Sequence, residues 1–308
     1  MIRATTLSLA ALAVVGASGC DVAVKILQRN VTGLVTAPRE VENRLSDPTR
    51  PDKRLVATWV GHATVLVQID DRFFITDPVF TDTVGQISPR LVEPGLTVQS
   101  LPPLDAVLIS HMHFDHLSYG SLEMLEDKTG QLLAPAGGLV YIPNFDFPTD
   151  EVKPWQTVEV AGMRITAVPV DHKGFRYAVD GAWMTESFTG WVVEYHGITV
   201  YFGGDTAYDQ ALFEQTAARF PNIDLVLMPI APIEPPEFAR PTHVDPKEAL
   251  LAFRDLKAKD MIPIHYDTFP HGIDPPGYAL ARLGDALAET GVDPTTVHIV
   301  PIGGQWAK

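Results

Sequence analysis

Three histidines and an aspartate stand within six residues, His111-Met112-His113-Phe114-Asp115-His116. They follow directly on the apolar run at 104–109. Such a run reads as a buried strand, so the cluster lies where a rigid strand hands over to a loop. Packing gives no reason to place three imidazoles and a carboxylate side by side. Divalent metals do, because they accept neutral imidazole and carboxylate together. A solvated histidine-rich turn is the rival reading. His111 and His113, two apart, can face one ion, and Asp115 and His116 can turn toward a second. The chain has a single cysteine, Cys20. No internal disulfide forms, and metal ligands must come from His, Asp and Glu.

Alternation and apolar runs predict strands at 56–60, 64–69 and 73–75, with Asp70-Asp71 as the turn between the last two. Further strands are expected at 104–109, 131–134, 164–169, 190–195, 198–203, 223–230, 261–264 and 297–301. Helices are expected at 117–125, 207–219 and 277–290. Another follows Asp245, a good N-cap, with Pro246 at the first helical position and Glu248 completing a capping box. Strands first in a meander and then alternating with helices fit an α/β fold with helices packed outside sheets.

Three more ligand-type residues each follow an apolar strand: His172 in Pro-Val-Asp-His, Asp205 in Gly-Gly-Asp-Thr, and His265 in Pro-Ile-His-Tyr. With them, HMHFDH resembles the HxHxDH motif of the metallo-β-lactamase superfamily, and the resemblance covers roughly residues 55–270. It implies a four-layer αββα sandwich and two divalent ions, with zinc expected and manganese or iron compatible. One ion takes His111, His113 and His172. The other takes Asp115, His116 and His265, and Asp205 bridges them. A shared water serves as nucleophile in such centres, and Asp115 orients it.

Narrower segments resemble the branch that holds the N-acylphosphatidylethanolamine-hydrolysing phospholipase D and the related ascorbate-6-phosphate lactonases. They are Trp59-Val60-Gly61-His62-Ala63-Thr64, Thr76-Asp77-Pro78, Gly203-Gly204-Asp205-Thr206 and His243-Val244-Asp245-Pro246. The implied reaction is phosphodiester hydrolysis at a lipid head group. His243 matches a histidine that this branch places beside the metals, where it protonates a leaving group or binds a substrate oxygen. A plain helix-entry residue is the alternative. His62 and Asp77 are candidates to support the ligands from behind. Stretches 184–189 and 231–240 depart from the branch pattern, which leaves the substrate open. A lactonase or ester hydrolase on the same metals and a non-catalytic envelope binding protein are the other readings. A phosphodiester substrate calls for cations at the site, and Arg90, Arg176 and Arg240 are candidates.

Residues 1–19 read as a signal peptide: Arg3, an apolar run at 7–15, then small residues before Cys20. The junction resembles a bacterial lipobox, with Cys20 as the lipidated first residue. Asp21 then implies the periplasmic face of the inner membrane. A retained membrane anchor is the alternative. Residues 20–54 form the lipidated N-terminus and linker, and 55–308 the hydrolase domain. A net charge of −15 disfavours nucleic acid, which demands clustered Lys and Arg. The expected partners are a phospholipid or small-molecule substrate and a membrane surface. Oligomeric state is left open.

Overall fold

Along residues 55–76 successive side chains turn to opposite faces, as a pleated strand requires. The computed structural model describes Lys25 and residues 36–308, except 43, 86, 87, 178, 184, 185 and 271 and the side chain of residue 182. Strands β1 (Leu55–Gly61), β2 (Thr64–Ile69) and β3 (Arg72–Thr76) form an antiparallel meander. Leu55, Ala57, Trp59, Val65, Val67 and Ile69 face one core, whereas Val60, Leu66 and Ile75 face another. Both faces are therefore buried.

A short hairpin follows, β4 (Thr83–Val84) and β5 (Ser88–Pro89). Then β6 (Ala106–Leu108), β7 (Leu132–Pro135) and β8 (Thr149–Val152) extend the first sheet in parallel from β3. Helix α1 (Tyr119–Met124) covers its outer face with Leu122. The second sheet runs β9 (Thr157–Val160), β10 (Met163–Val168), β11 (Gly190–Tyr195), β12 (Ile198–Phe202), β13 (Leu225–Pro229) and β14 (Asp260–Ile264), in that spatial order. Helices α2 (Gln210–Arg219), α3 (Pro236–Ala239), α4 (Pro246–Asp255) and α5 (Tyr278–Thr290) follow its later strands. A last strand, β15 (Gln305–Ala307), returns to pair with β1. The main core lies between the two sheets and continues under α4 and α5. This is the expected α/β sandwich of mixed sheets flanked by helices.

The capping box is present: Asp245 accepts from Glu248 N, and Glu248 reaches back to Asp245 N. Two expectations need correction. Residues 297–301 are not a strand; only Val297 makes an isolated bridge, to Met261. Val297 and Val300 are buried as filler, and the pairing strand comes later, past the turn at Gly303 and Gly304. The helix expected from 207 starts at Gln210, because Asp209 caps it and Ala207 N is held by Asp171 O.

The described residues from 36 to 54 reach the loop after β5 and, at Pro48, the edge strand β15. Arg39 exchanges backbone hydrogen bonds with Leu91 and Glu93, Arg44 pairs with Glu93, and Pro48 O accepts from Gln305. Cys20 and residues 1–24 lie outside the described residues. Among the described residues, no helix is long and apolar enough to cross a membrane.

Candidate metal centre

The chain leaves β3, β6, β10, β12 and β14 at one rim of the sandwich, and each exit delivers a residue to one spot. Asp77 follows β3, Ser110 and His111 follow β6, and His172 follows β10. Asp205 follows β12, His265 follows β14, and His62 sits in the β1–β2 turn. Glycine makes the close approach possible. Gly204 has φ +58°, and a Cβ there would lie 2.4 Å from Ser110 Cβ. Asp205 is thereby carried against the histidine loop.

Hydrogen bonds behind the rings decide which nitrogen each histidine offers. His116 Nδ1–H donates to Asp77 Oδ2 (2.6 Å), His111 Nδ1–H to Ser110 Oγ (2.9 Å), His172 Nδ1–H to Thr242 O (2.8 Å) and His265 Nδ1–H to Ala231 O (2.9 Å). A carboxylate, a hydroxyl and two carbonyls thus leave four Nε2 atoms facing inward. Outer partners of this kind are what fix a metal-binding imidazole. Asp77 is fully used: its carboxylate also accepts from Ser110 N (2.7 Å) and Ser110 Oγ (2.6 Å).

The inward atoms form two clusters. His111, His113, His172 and Asp205 make one, and His62, Asp115, His116 and His265 the other. His111 Nε2 and His172 Nε2 lie 2.8 and 3.4 Å from His113 Nδ1, and His265 Nε2 lies 3.3 Å from His116 Nε2. Imidazoles on one tetrahedral zinc, with bonds of about 2.0–2.1 Å, hold their nitrogens about 3.3 Å apart. Asp205 stands between the clusters. Its Oδ2 is 3.2 Å from His116 Nε2, 3.8 Å from His111 Nε2 and 4.0 Å from His172 Nε2, and its Oδ1 is 3.1 Å from His265 Nε2. That Oδ1 is buried without an aligned hydrogen-bond partner. A buried carboxylate oxygen left so, among converging ring nitrogens, fits cations. The residues therefore suit a dinuclear centre.

The electrostatics differ between the clusters. Burial, reinforced by neighbouring histidines, holds His111 well below the usual range, and burial also lowers His113 and His172. They stay neutral and ready to ligate. In the second cluster burial opposes charge as well, but Asp205 and Asp115 outweigh it. His265 is pushed up to about 9, and His116 is held well above its usual value. Burial likewise opposes ionisation of Asp205, yet His116, His265 and His243 hold it well below the usual carboxylate range.

His243 enters the same group. Its Nε2 is 3.1 Å from Asp205 Oδ2, and its Nδ1 is 2.9 Å from Thr242 Oγ1. His62 stands closer than a supporting residue need be: its Nε2 is 2.9 Å from Asp115 Oδ2, and its ring lies 3.8 Å from that of His265. The three arginines take other duties. Arg90 is buried and donates to Val79 O and Thr81 O, with burial pushing it down to about 10. Arg176 is buried and donates to Met112 O and Leu117 O. Arg240 is exposed and paired with Asp245. Sequence reasoning missed Ser110, Thr242 and Ala231 as partners. The last two act through backbone carbonyls, which carry no side-chain signal.

A cavity of about 520 Å³ opens beside this centre, between the β4–β5 hairpin and residues 175–177. His113 and Asp115 form part of its wall, and Val84, Phe114, Phe175 and Tyr177 make it largely apolar.

Residues 72–266 match the Beta-lactamase superfamily domain. The chain is 30% identical over 248 residues to N-acyl-phosphatidylethanolamine-hydrolyzing phospholipase D 1 of Caenorhabditis elegans, covering 75% of this chain and 69% of that one. It is 28% identical over 225 residues to the mitochondrial N-acyl-phosphatidylethanolamine-hydrolyzing phospholipase D of Saccharomyces cerevisiae, covering 69% and 47%. Among solved structures, Igni18, a metallo hydrolase from Ignicoccus hospitalis, shares the fold. Its TM-score is 0.61 at 20% identity, over 82% of this chain and 98% of that one. With the domain match spanning more than half its length, the chain belongs to the β-lactamase superfamily, as a metal-binding hydrolase of the metallo-β-lactamase fold distantly related to those phospholipases.

Proposed function

We propose that the protein hydrolyses a phosphodiester bond in N-acylphosphatidylethanolamine-like lipids. The observation that carries this reading is the apolar cavity against His113 and Asp115, which gives an acyl group a place beside a hydrolytic centre. The names of the two phospholipase relatives support it. His111, His113 and His172 would hold one zinc ion, and Asp115, His116 and His265 the other, with Asp205 shared. Bound ions would supply Lewis acidity and lower the pKa of water. Asp115, partly exposed and hydrogen-bonded to His62, orients the attacking water. His243, also partly exposed, faces Asp205 and passes a proton to the departing oxygen. Asp77 and His62 hold His116 and Asp115 in place.

The arginines favour a second reading. Arg90, Arg176 and Arg240 are each engaged elsewhere, which suits a neutral lactone or ester. Parallel assays with N-acylphosphatidylethanolamine, bis-p-nitrophenyl phosphate and an acyl lactone separate the two. Cleavage of the phosphodiesters supports the phospholipase reading. Turnover of the lactone alone replaces it.

The lipobox-like junction at Cys20 supports attachment to the periplasmic face of a bacterial inner membrane, with residues 55–308 as one domain beyond a linker. A diacylated cysteine is a strong two-chain anchor. Cys20→Ser should move the protein from the membrane to the soluble fraction. Unchanged retention would point to an uncleaved anchor instead.

A further inference from the structure

We propose that Arg176 is the positioning residue of the metal loop, and that its guanidinium sets the opposite aims of His113 and Asp115. These two residues flank Phe114 and belong to different clusters. The loop that carries them has little support of its own. Two backbone hydrogen bonds close it, from His116 N and Leu117 N to His113 O (3.1 and 2.9 Å). Arg176 supplies what is missing. Its Nη1 donates to Met112 O before the turn and to Leu117 O after it, both at 2.9 Å. The guanidinium carbon lies 4.3 Å from the centre of the Phe114 ring and 4.2 Å from that of Tyr119. Both ends of the loop and the side chain at its apex are thus tied to one group.

The site is built for an arginine. Arg176 is only 5% exposed, and its Nε is buried with no hydrogen-bond partner. No carboxylate pairs with its guanidinium among the described ion pairs. A cation withdrawn from water in this way is costly. Its compensation comes from the carbonyls and ring faces of the metal loop. One nitrogen, Nη1, reaches both carbonyls while the planar guanidinium lies against two rings, a stacking that an ammonium cannot supply. The backbone of Arg176 is anchored in turn: Asp180 accepts from Arg176 N (3.0 Å), Tyr177 N (2.8 Å) and the Tyr141 hydroxyl. Phe175 sets its ring 4.9 Å from that of His113. The segment that walls the apolar cavity is therefore tied to the loop that aims the ligands.

This inference rests on the proposed ligation, and its test reads metal binding rather than turnover. Zinc affinity by chelator competition, the visible spectrum of the cobalt-substituted protein and the thermal midpoint of the metal-free protein are compared for wild type, Arg176→Lys and Tyr141→Phe. Arg176→Lys should weaken zinc binding about 10–100-fold, the effect typical of lost outer-shell support. It should also alter the cobalt bands, and any fall in the metal-free midpoint should be too small to account for the lost affinity. Tyr141→Phe, which loosens only the Asp180 anchor, should weaken zinc severalfold in the same direction. Wild-type affinity and cobalt bands in Arg176→Lys would overturn the inference, as would a metal-free midpoint that falls in step with the affinity. Should Arg176→Lys fail to fold, wild-type zinc affinity in Tyr141→Phe would overturn it. Wild-type protein that takes up no zinc would refute the ligation itself, and this inference with it.

Discussion

Asp77→Asn tests the proposed ligation through a residue that touches no ion. Asp77 has φ +32°, a region where asparagine is tolerated, so the backbone should not object. The change lies in the carboxylate, which accepts from Ser110 N, Ser110 Oγ and His116 Nδ1. Asparagine keeps one acceptor oxygen, which suits Ser110 N. Its amide nitrogen then replaces Oδ2 and faces Ser110 Oγ and His116 Nδ1. The hydroxyl can rotate and accept. His116 can accept only by moving its proton to Nε2, the nitrogen 3.2 Å from Asp205 Oδ2. A protonated Nε2 cannot bind a metal. Loss of such outer support costs about 10–100-fold in metal affinity, or about 1.4–2.8 kcal/mol. The loss should fall on the second ion, with a smaller effect on the first through Ser110 and His111. Chelator-competition titration of two equivalents of zinc reads both constants. Wild-type affinity for both ions would refute the argument that Asp77 sets the tautomer of a ligating His116.

Three further outcomes are expected. His243→Ala should cut turnover by about 10²–10⁴-fold while elemental analysis still finds both ions; loss of metal would make His243 a ligand instead. Metal loading should depend on pH unequally. His265, raised to about 9, carries a proton at pH 7 that the second ion must displace. His116, on the same ion, is also held above its usual value, so the affinity should rise from pH 7 upward by about tenfold per pH unit for each proton displaced. The first ion meets histidines already neutral and should bind with little change, so equal slopes for both ions would contradict the assignment. Asp245→Ala, which removes the capping box of α4, should lower stability by about 1 kcal/mol in a denaturant titration; an unmoved midpoint would show that the cap contributes nothing.

The parts of the fold legible in the sequence are those where one interaction dominates. Apolar runs along 55–76 show the meander because both of its faces are buried in cores. The Asp-Pro-x-Glu signature marks the start of α4 because its capping contacts are local. The residues of the centre are legible because several ligand types follow strands in order. Strands β8 and β9 were not expected, since Thr, Asp and Glu leave much of them exposed and no alternation stands out. The apolar stretch at 297–301 misled in the other direction, because Val297 and Val300 fill the core without joining a ladder. In the sequence Arg176 reads as a candidate cation for phosphate, but its tie to Met112 and Leu117 depends on a chain crossing that no local pattern encodes. The contact of His62 with Asp115 depends on the β1–β2 turn meeting the β6 exit, which is equally nonlocal.

Metal content of the purified full chain after zinc loading, with X-ray absorption to find the separation of the ions, addresses the two-ion centre most directly. The account predicts two ions per chain, about 3.5–4 Å apart, and hydrolysis that chelator abolishes and zinc restores. One ion or none at saturating zinc above pH 9, where His265 no longer holds its proton, would contradict it.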